Sequence, residues 1–545
     1  MPESKYPKGL FFLVFTEFWE RFGYYLMIGI FALYMTAEVS EGGFGWSNAD
    51  AADIYGTFIA IAYLTPFMGG LLADLKLGYR FSITLGGILM GIGYCMLAIP
   101  EKWAFYSALA VMVVGNGFFK PNISTLLGNL FNDDRYRHKK DTGYNIFYMG
   151  INVGAFVCNF IAAIMRNKIG WHGAFITAGI GMFIGVITFW LGMKHYKHVD
   201  IRREPKLEDK PFLMQFVSIL FLGLIFSVIG WFIPDNIMGS NSSDAFFMFC
   251  IPVIYFFANI YYKASAEEKK PLGTMFTIFI IVILFWAIFK QNGTALTTYA
   301  KYYTDREGPV KIEKIAKDFG FLESIKADNL ETYQLDNQFR KIMGANGEPL
   351  KHFDYPPYYK NLDASKFPPK GESLNLFNTE IFQSVNPFFV VILTPLVIAF
   401  FAFMRRRNRE PTTATKIAYG LLVSGLSVLV MIAAVYSSDN GAHKSSAWWL
   451  IGSYGVVTIG ELLLSPMGLS MVSKLSPVRL TALMFGGWSL ATSIGNKLSG
   501  VLAKNWDNFE NKANYFWLNF TLLIFAFLIM TILLKRLNLA FKERS

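Results

Sequence analysis

Charge is what this sequence has least of. Only 16% of its 545 residues are Asp, Glu, Lys or Arg, while 53% are hydrophobic and the mean hydropathy is +0.36. A surface built from so few ions cannot be wetted all round, which excludes an ordinary soluble domain. Cysteine is equally sparse. Cys95, Cys158 and Cys250 all lie inside apolar runs, so a disulfide framework is excluded and they read as small packing residues. The histidines, His138, His172, His195, His198, His352 and His443, fall in loops or at the ends of apolar runs with no metal-ligand spacing. Neither a metal centre nor an enzyme embedded in a bilayer is expected. A cleavage pattern is also lacking between Met1 and Gly9, so the first apolar run is expected to stay as a spanning helix.

What the chain does have is a series of apolar stretches of about 18 to 25 residues, each long enough to cross roughly 30 Å of hydrocarbon. They fall near 11–36, 50–74, 80–99, 103–130, 143–165, 172–194, 212–233, 245–263, 271–302, 378–404, 412–436, 446–473, 480–504 and 514–535, about fourteen helices. The net charge of +11 does not require a nucleic-acid partner, because the basic residues collect in alternate loops. Those loops hold Lys76 and Arg80, Arg135 to Lys140, Lys194 to Lys210, Lys263 to Lys270, Arg405 to Arg409, Lys474 and Arg479, and the tail from Lys535. A cytoplasmic amino terminus puts all of them inside and leaves Glu38 to Asp50 and Pro234 to Asp244 outside, as positive-inside bias demands. Both termini are then cytoplasmic.

The pattern divides into a six-helix bundle over 1–197, a cytoplasmic linker with an inserted helix pair over 198–270, and a second six-helix bundle over 271–545. An extracytoplasmic insertion, 303–377, interrupts the second bundle and reads as a small ornamental loop domain, with a substrate-handling role as the alternative. The Asp318-Phe319-Gly320 inside it has no kinase context around it and carries no meaning. The short loop from Gly69 to Arg80 sets Asp74 and Arg80 at helix ends, where they are expected to form a conformational latch. Pro411 to Gly420 occupies the corresponding place in the second half, and the loop resembles the cytoplasmic signature of the major facilitator superfamily.

An ion well inside a spanning helix costs a few kcal/mol, about 2.5 to 3.5 on an insertion scale, so each needs a partner or a watery cavity. The first span carries Glu17, Glu20 and Arg21 on one helical face, with Glu17 and Arg21 at i and i+4. Two acids around one base make a site for a proton that can communicate with a bound anion. Lys120 stands before Pro121 in the fourth span, and Glu461 is a lone acid in the twelfth. Arg21 and Lys120 facing Glu461 give a cavity with positive and negative poles, which suits a zwitterion. Tyr24, Tyr25, Tyr63, Asn152, Trp286, Asn386, Trp488 and Thr492 are the polar and aromatic groups expected to line it.

The run Glu17-x-x-Glu20-Arg21-Phe22-x-Tyr24-Tyr25, with Lys120-Pro121-Asn122, Phe147 to Gly154, Gln383 to Pro387 and Gly460 to Ser470, resembles the ordered signatures of the proton-dependent oligopeptide transporter family, prokaryotic type. The resemblance implies an all-α integral membrane protein of the major facilitator fold, two six-helix bundles plus an inserted hairpin. It implies proton-coupled uptake of di- and tripeptides across a bacterial inner membrane by a monomer, with protons as coupling ion and no other cofactor. It would give the peptide carboxylate to Arg21 and Lys120, its amino group to Glu461, its backbone to Asn152 and Asn386, its side chains to the tyrosines and tryptophans, and the proton to Glu17 and Glu20. Two positions depart from the family pattern: Lys290 replaces an acid and Ile28 replaces the arginine that would pair with it. Lys290 is therefore expected either to find another partner, such as a first-helix glutamate, or to snorkel outward. The alternatives are transport of another small anion or zwitterion, and a sensor that binds without transporting.

Overall fold

A computed structural model of the chain describes residues 6–200, 209–345, 348–477 and 480–542. Arg479 and residues 201–208 of the linker, which the charge argument used, lie outside the described residues.

The first six helices are α1 (Gly9–Thr36), α2 (Asn48–Leu72), α3 (Tyr79–Leu97), α4 (Lys102–Leu130), α5 (Lys140–Ile169) and α6 (Trp171–Gly192), followed by α7 (Asp209–Trp231) and α8 (Asn241–Lys263). Then come α9 (Ala266–Phe289), α10 (Ala295–Tyr302), α11 (Val310–Phe319), α12 (Val385–Arg406), α13 (Thr413–Ser437), α14 (Ala447–Leu475), α15 (Thr481–Lys504) and α16 (Lys512–Lys542). Ten of the described helical stretches are long and apolar enough to cross a membrane. Of the other long helices, α1, α4 and α15 carry Glu17, Glu20 and Arg21, Lys120, and Lys497 within them, and α7 contributes a shorter apolar stretch, Val217–Trp231. Ionisable groups weaken the hydropathy of those helices most where the chain needs them inside.

Each half has its own hydrophobic core. Phe31, Tyr94, Phe119 and Phe175 stand in a cluster built from α1 to α6, and Phe285, Met431, Leu464 and Phe516 in one built from α9, α13, α14 and α16. The α7–α8 hairpin packs its second helix against α2, α9 and α15. Turn chemistry sets several helix starts. Ser47 accepts from Asp50 N at the head of α2, and Ser265 and Glu268 form a capping box at the head of α9.

Three features go beyond the sequence expectations. The single span expected over 271–302 is broken: α9 ends at Phe289, a 3-10 turn covers Lys290–Gly293, and Thr294 has φ −130° and ψ −91° before α10 begins. The side chain of Asp74, the other half of the expected latch, lies outside the described residues. Arg80 pairs with Asp200 at 2.7 Å, and Asp200 Oδ1 accepts from Tyr79 N at 2.8 Å, closing the exposed start of α3. In the second half Glu410 holds Arg405 and Lys416 at 2.5 and 2.6 Å.

The insertion is a folded domain docked on both halves. Strand β1 (Thr304–Asp305) pairs in parallel with β6 (Ser445–Ser446), β2 (Leu322–Lys326) with β5 (Ser373–Phe377) and β3 (Leu330–Tyr333) with β4 (Lys351–Asp354), the last two antiparallel. Ala327, Tyr358, Tyr359, Leu362 and Leu376 form its small core. It grips the first half through Thr332 on Glu38 and through Lys341 Nζ, which donates to the carbonyls of Thr36, Gly45 and Trp46 at 3.1, 2.8 and 3.0 Å. It grips the second half through Arg340 on Asp507 O at 3.0 Å and Asn361 on the carbonyls of Tyr302 and Gly441 at 3.2 and 3.0 Å.

Candidate functional site

The ions of α1 meet as helical spacing requires. Arg21 is clamped edge-on by Glu20, with Nε on Oε2 and Nη2 on Oε1, the latter at 2.5 Å. Glu17 Oε1 stands 3.4 Å from Arg21 Nε, while Glu17 Oε2 is buried without a hydrogen-bond partner. All three side chains are almost completely buried, so the excess carboxylate has nowhere to be solvated. The guanidinium lies over the rings of Tyr24 and Tyr25, 5.0 and 5.9 Å from their centroids.

Tyr63 of α2 is the hub of the cationic wall. Lys120 of α4 places Nζ 4.1 Å from its ring centroid, and Lys290, at the end of α9, places Nζ 5.4 Å from it. Lys290 also lies against Trp286 and Phe289 at 5.7 and 5.6 Å. Among the described residues it has no carboxylate within salt-bridge distance, so the expected pairing with a first-helix glutamate is not formed. Lys290 does not snorkel outward either; it faces inward onto aromatic rings. Lys120 and Arg21 are both within electrostatic reach of Tyr63.

The opposite pole is in the second half. Asn386 of α12 donates to Thr458 Oγ1 at 2.9 Å and to Glu461 Oε2 at 3.1 Å, fixing the carboxylate of α14. Tyr25 lies within electrostatic reach of both Arg21 and Glu461, and Lys290 within reach of Glu461. Tyr148 of α5, also within reach of Glu461, is 44% exposed although it sits deep between the halves. Lys120, Lys290, Asn386 and Glu461 likewise keep part of their surface wetted. Groups so enclosed yet partly exposed mark a solvent-accessible chamber between the halves.

Other expected lining residues are less engaged. Asn152 is 8% exposed and gives its amide to Tyr148 O at 2.8 Å. Trp286 is buried with its indole N–H unpartnered. Trp488 packs on Phe279 and over Gly468, where a Cβ would collide with its ring. Thr492 is 3% exposed and returns its hydroxyl to Trp488 O at 3.0 Å. Trp488 and Thr492 therefore stand behind the wall and do not join the cluster.

The chamber is closed at the end that carries the insertion. Among the described residues, the hydrogen bonds and ion pairs that join the halves lie at this end. Lys497 of α15 meets Asp53 of α2 at 2.7 Å, Ser493 donates to Ala60 O at 2.6 Å, Asn159 donates to Ser384 at 3.1 Å, and Arg166 meets Glu380 at 2.7 Å. Gly56 and Gly500 bring α2 and α15 so close that a Cβ on Gly56 would stand 2.8 Å from the Gly500 Cα. Apart from Ser384, inside the Gln383 to Pro387 run, these gate residues were not singled out from the sequence. Lys497 gave a usable signal, being a lone cation inside an apolar span, and Asp53 sits only one turn inside another.

The matches to known proteins follow this architecture. A model of the POT family matches residues 80–314 and 373–518, skipping most of the insertion. The di-/tripeptide transporter of Lactococcus lactis subsp. cremoris is 30% identical over 509 residues, covering 91% of this chain and 89% of that protein. Dipeptide and tripeptide permease A of Escherichia coli (strain K12) is 26% identical over 504 residues, covering 92% of this chain and 84% of the permease. A crystal structure of a peptide transporter POT in complex with sulfate superposes with a TM-score of 0.75 at 29% identity, covering 99% of this chain and 97% of that one. The mostly helical membrane fold, with its paired bundles and opposed charges in a central chamber, is of the major facilitator type, and the chain belongs to the POT family.

Proposed function

We propose that this protein carries di- and tripeptides inward across a bacterial inner membrane, coupled to protons, by alternating access as a monomer with both termini in the cytoplasm. The observation that carries the reading is the opposition of charges across one chamber. Arg21, Lys120 and Lys290 surround Tyr63 and Tyr25, and Glu461 faces them from the second half, steadied by Asn386. A peptide of two or three residues brings a carboxylate for the first pole and an ammonium for the second. The names of the relatives, di-/tripeptide transporter and dipeptide and tripeptide permease, support the same substrate class.

Charge balance supplies the coupling. Arg21 is occupied by Glu20 and approached by Glu17, so an incoming carboxylate must compete for the guanidinium. A proton on either acid removes one competitor, and the bound carboxylate in turn favours that proton; the two binding events assist each other by the same factor. Glu17, with an oxygen that has no partner, is the acid less committed to Arg21. A proton falling through about 100 mV supplies roughly 2.3 kcal/mol, enough for accumulation of some tens-fold. In this orientation the insertion lies outside, the closed gate faces outward and the chamber is wetted from the cytoplasm.

Dialanine uptake into proteoliposomes under an imposed pH gradient tests the reading. Glu17→Gln and Glu20→Gln should lose the response to the gradient while keeping exchange of external for internal dialanine, and Glu461→Gln should lose both. Normal gradient-driven uptake by both glutamine variants removes the proton assignment, and wild-type protein that never moves dialanine removes the function.

A further inference from the structure

Between the insertion and the outer ends of α1, α5 and α10 lies a second cavity of about 470 Å³, separate from the central chamber and within the size range of small-molecule sites. Its charged lining is uneven: Arg166, Lys301, Arg306, Lys326 and Lys341 against Glu38, Glu41 and Glu323. Most of these charges are already spent. Glu323 holds Arg166 and Arg306, each at 2.6 Å, and Arg166 also holds Glu380. Lys326 pairs with Asp328 at 3.2 Å, Lys341 donates to three backbone carbonyls, and Glu38 accepts from Thr332 and from Tyr333 N.

Lys301 keeps only a neutral partner, Tyr302. Among the described residues it has no carboxylate within salt-bridge distance, and its ammonium lies 5.0 Å from the ring centroid of Tyr302. It stands where the cavity meets a narrow cleft between the outer ends of α1, α2, α10 and α15, lining both spaces. That cleft follows the seam along which the halves must part to admit a solute from outside. Glu41, exposed on the rim, lies within electrostatic reach of both Lys301 and Lys341, and among the described residues it forms no salt bridge. The walls between them are aromatic, from Trp171, Tyr302, Tyr333 and Tyr358.

We propose that this vestibule is a second binding site for the peptide substrate, in which Lys301 takes the carboxylate and Glu41 the ammonium while the gate beneath is closed. The inference rests on the functional reading above for its ligand class. The vestibule repeats the charge logic of the central chamber on the far side of the gate, so a waiting peptide is held at the seam when the protein turns outward. The insertion then has a task that the bare two-bundle fold lacks, since it supplies most of the vestibule wall.

The test is equilibrium binding of dialanine to full-length protein in lipid nanodiscs, together with uptake kinetics. Wild type should bind two equivalents, and Lys301→Gln should bind one. In uptake, Lys301→Gln should raise KM on the order of tenfold, the worth of one good ionic contact, with kcat within about twofold, and Lys301→Arg should restore it. Dialanine amide, which has no carboxylate, should not compete at the vestibule, and inorganic phosphate should compete only weakly. One equivalent in the wild type, an unchanged KM in Lys301→Gln, or a vestibule that prefers phosphate or the amide would each overturn the proposal. Wild-type protein that transports dialanine while Lys301→Gln matches it defeats the vestibule alone; wild-type protein that neither binds nor moves dialanine defeats the functional reading beneath it.

Discussion

Lys497, fully buried in α15, donates to Asp53 of α2 at 2.7 Å and so ties the two halves together across the closed gate. Ser240, Ser242 and Ser243 complete the carboxylate's shell at 2.8, 2.5 and 3.1 Å, which enlists the α7–α8 hairpin in the same joint. Such a pair is costly to form in a low dielectric but more costly to break one-sidedly. Lys497→Met should lower the stability of the closed form by about 3–5 kcal/mol, read as a drop in the unfolding midpoint. Combining it with Asp53→Asn should recover most of the loss, because no charge is then stranded. A single variant as stable as wild type would show that the pair does not hold the gate.

Lys120 and Tyr63 should separate by kinetics. Removing the ammonium in Lys120→Gln takes away a charge-assisted contact to a peptide carboxylate, worth about 1.5–3 kcal/mol, and should raise KM for dialanine on the order of ten- to a hundredfold. Tyr63→Phe keeps the ring that both Lys120 and Lys290 face and should cost less than tenfold. Equal losses in the two variants would mean that the hydroxyl, not the ring, organises the wall.

Glu323 should make the docked insertion acid-sensitive. Burial pushes its carboxyl up, but Arg306 and Arg166 outweigh that and bring it down to about 2, from an ordinary value of 4.5. Its contribution is therefore complete above about pH 4.5 and is lost as pH falls from there towards 2. Protease cleavage within 303–377 should accelerate over that window in wild type. In Glu323→Gln cleavage should be faster than in wild type above about pH 4.5, should approach the wild-type rate near pH 2, and should lack the step.

Lys341 should act in the opposite direction. Burial, and then the neighbouring Lys301, bring its ammonium down to about 7 from 10.5. Undocking lets the amine take up a proton between those values, so docking of the insertion should strengthen as pH rises from about 7 towards 10.5. Hydrogen exchange across β3 and β4 at pH 6 and pH 9, after correction for intrinsic rates, should show greater protection at the higher pH. Lys341→Met should flatten that difference while lowering protection overall, because the carbonyls of Thr36, Gly45 and Trp46 lose their donor.

Several parts of the molecule could be read along the chain because the physics behind them is local. Apolar runs of membrane-spanning length announce helices, and a 3.6-residue period puts Glu17, Glu20 and Arg21 on one face however the helix is later packed. Lys120 and Glu461 were conspicuous because an ion inside an apolar run is expensive wherever it ends up. What the period could not supply is the identity of a partner in another helix. Arg80 found a partner in Asp200, 120 residues further on, and Lys290 lies against the ring of Tyr63 with no carboxylate partner among the described residues.

The amino-acid sequence by itself therefore determined the solvent, the number of long helices and the ions that need a watery chamber. Only the tertiary structure decided how those ions are shared. It broke the ninth span at Thr294, brought Asp53 to Lys497 across the gate and laid the insertion as a folded cap over both halves. The reason is that helix periodicity fixes which face a residue occupies, whereas a salt bridge, a cavity or a gate exists only where two such faces, distant in sequence, are pressed together.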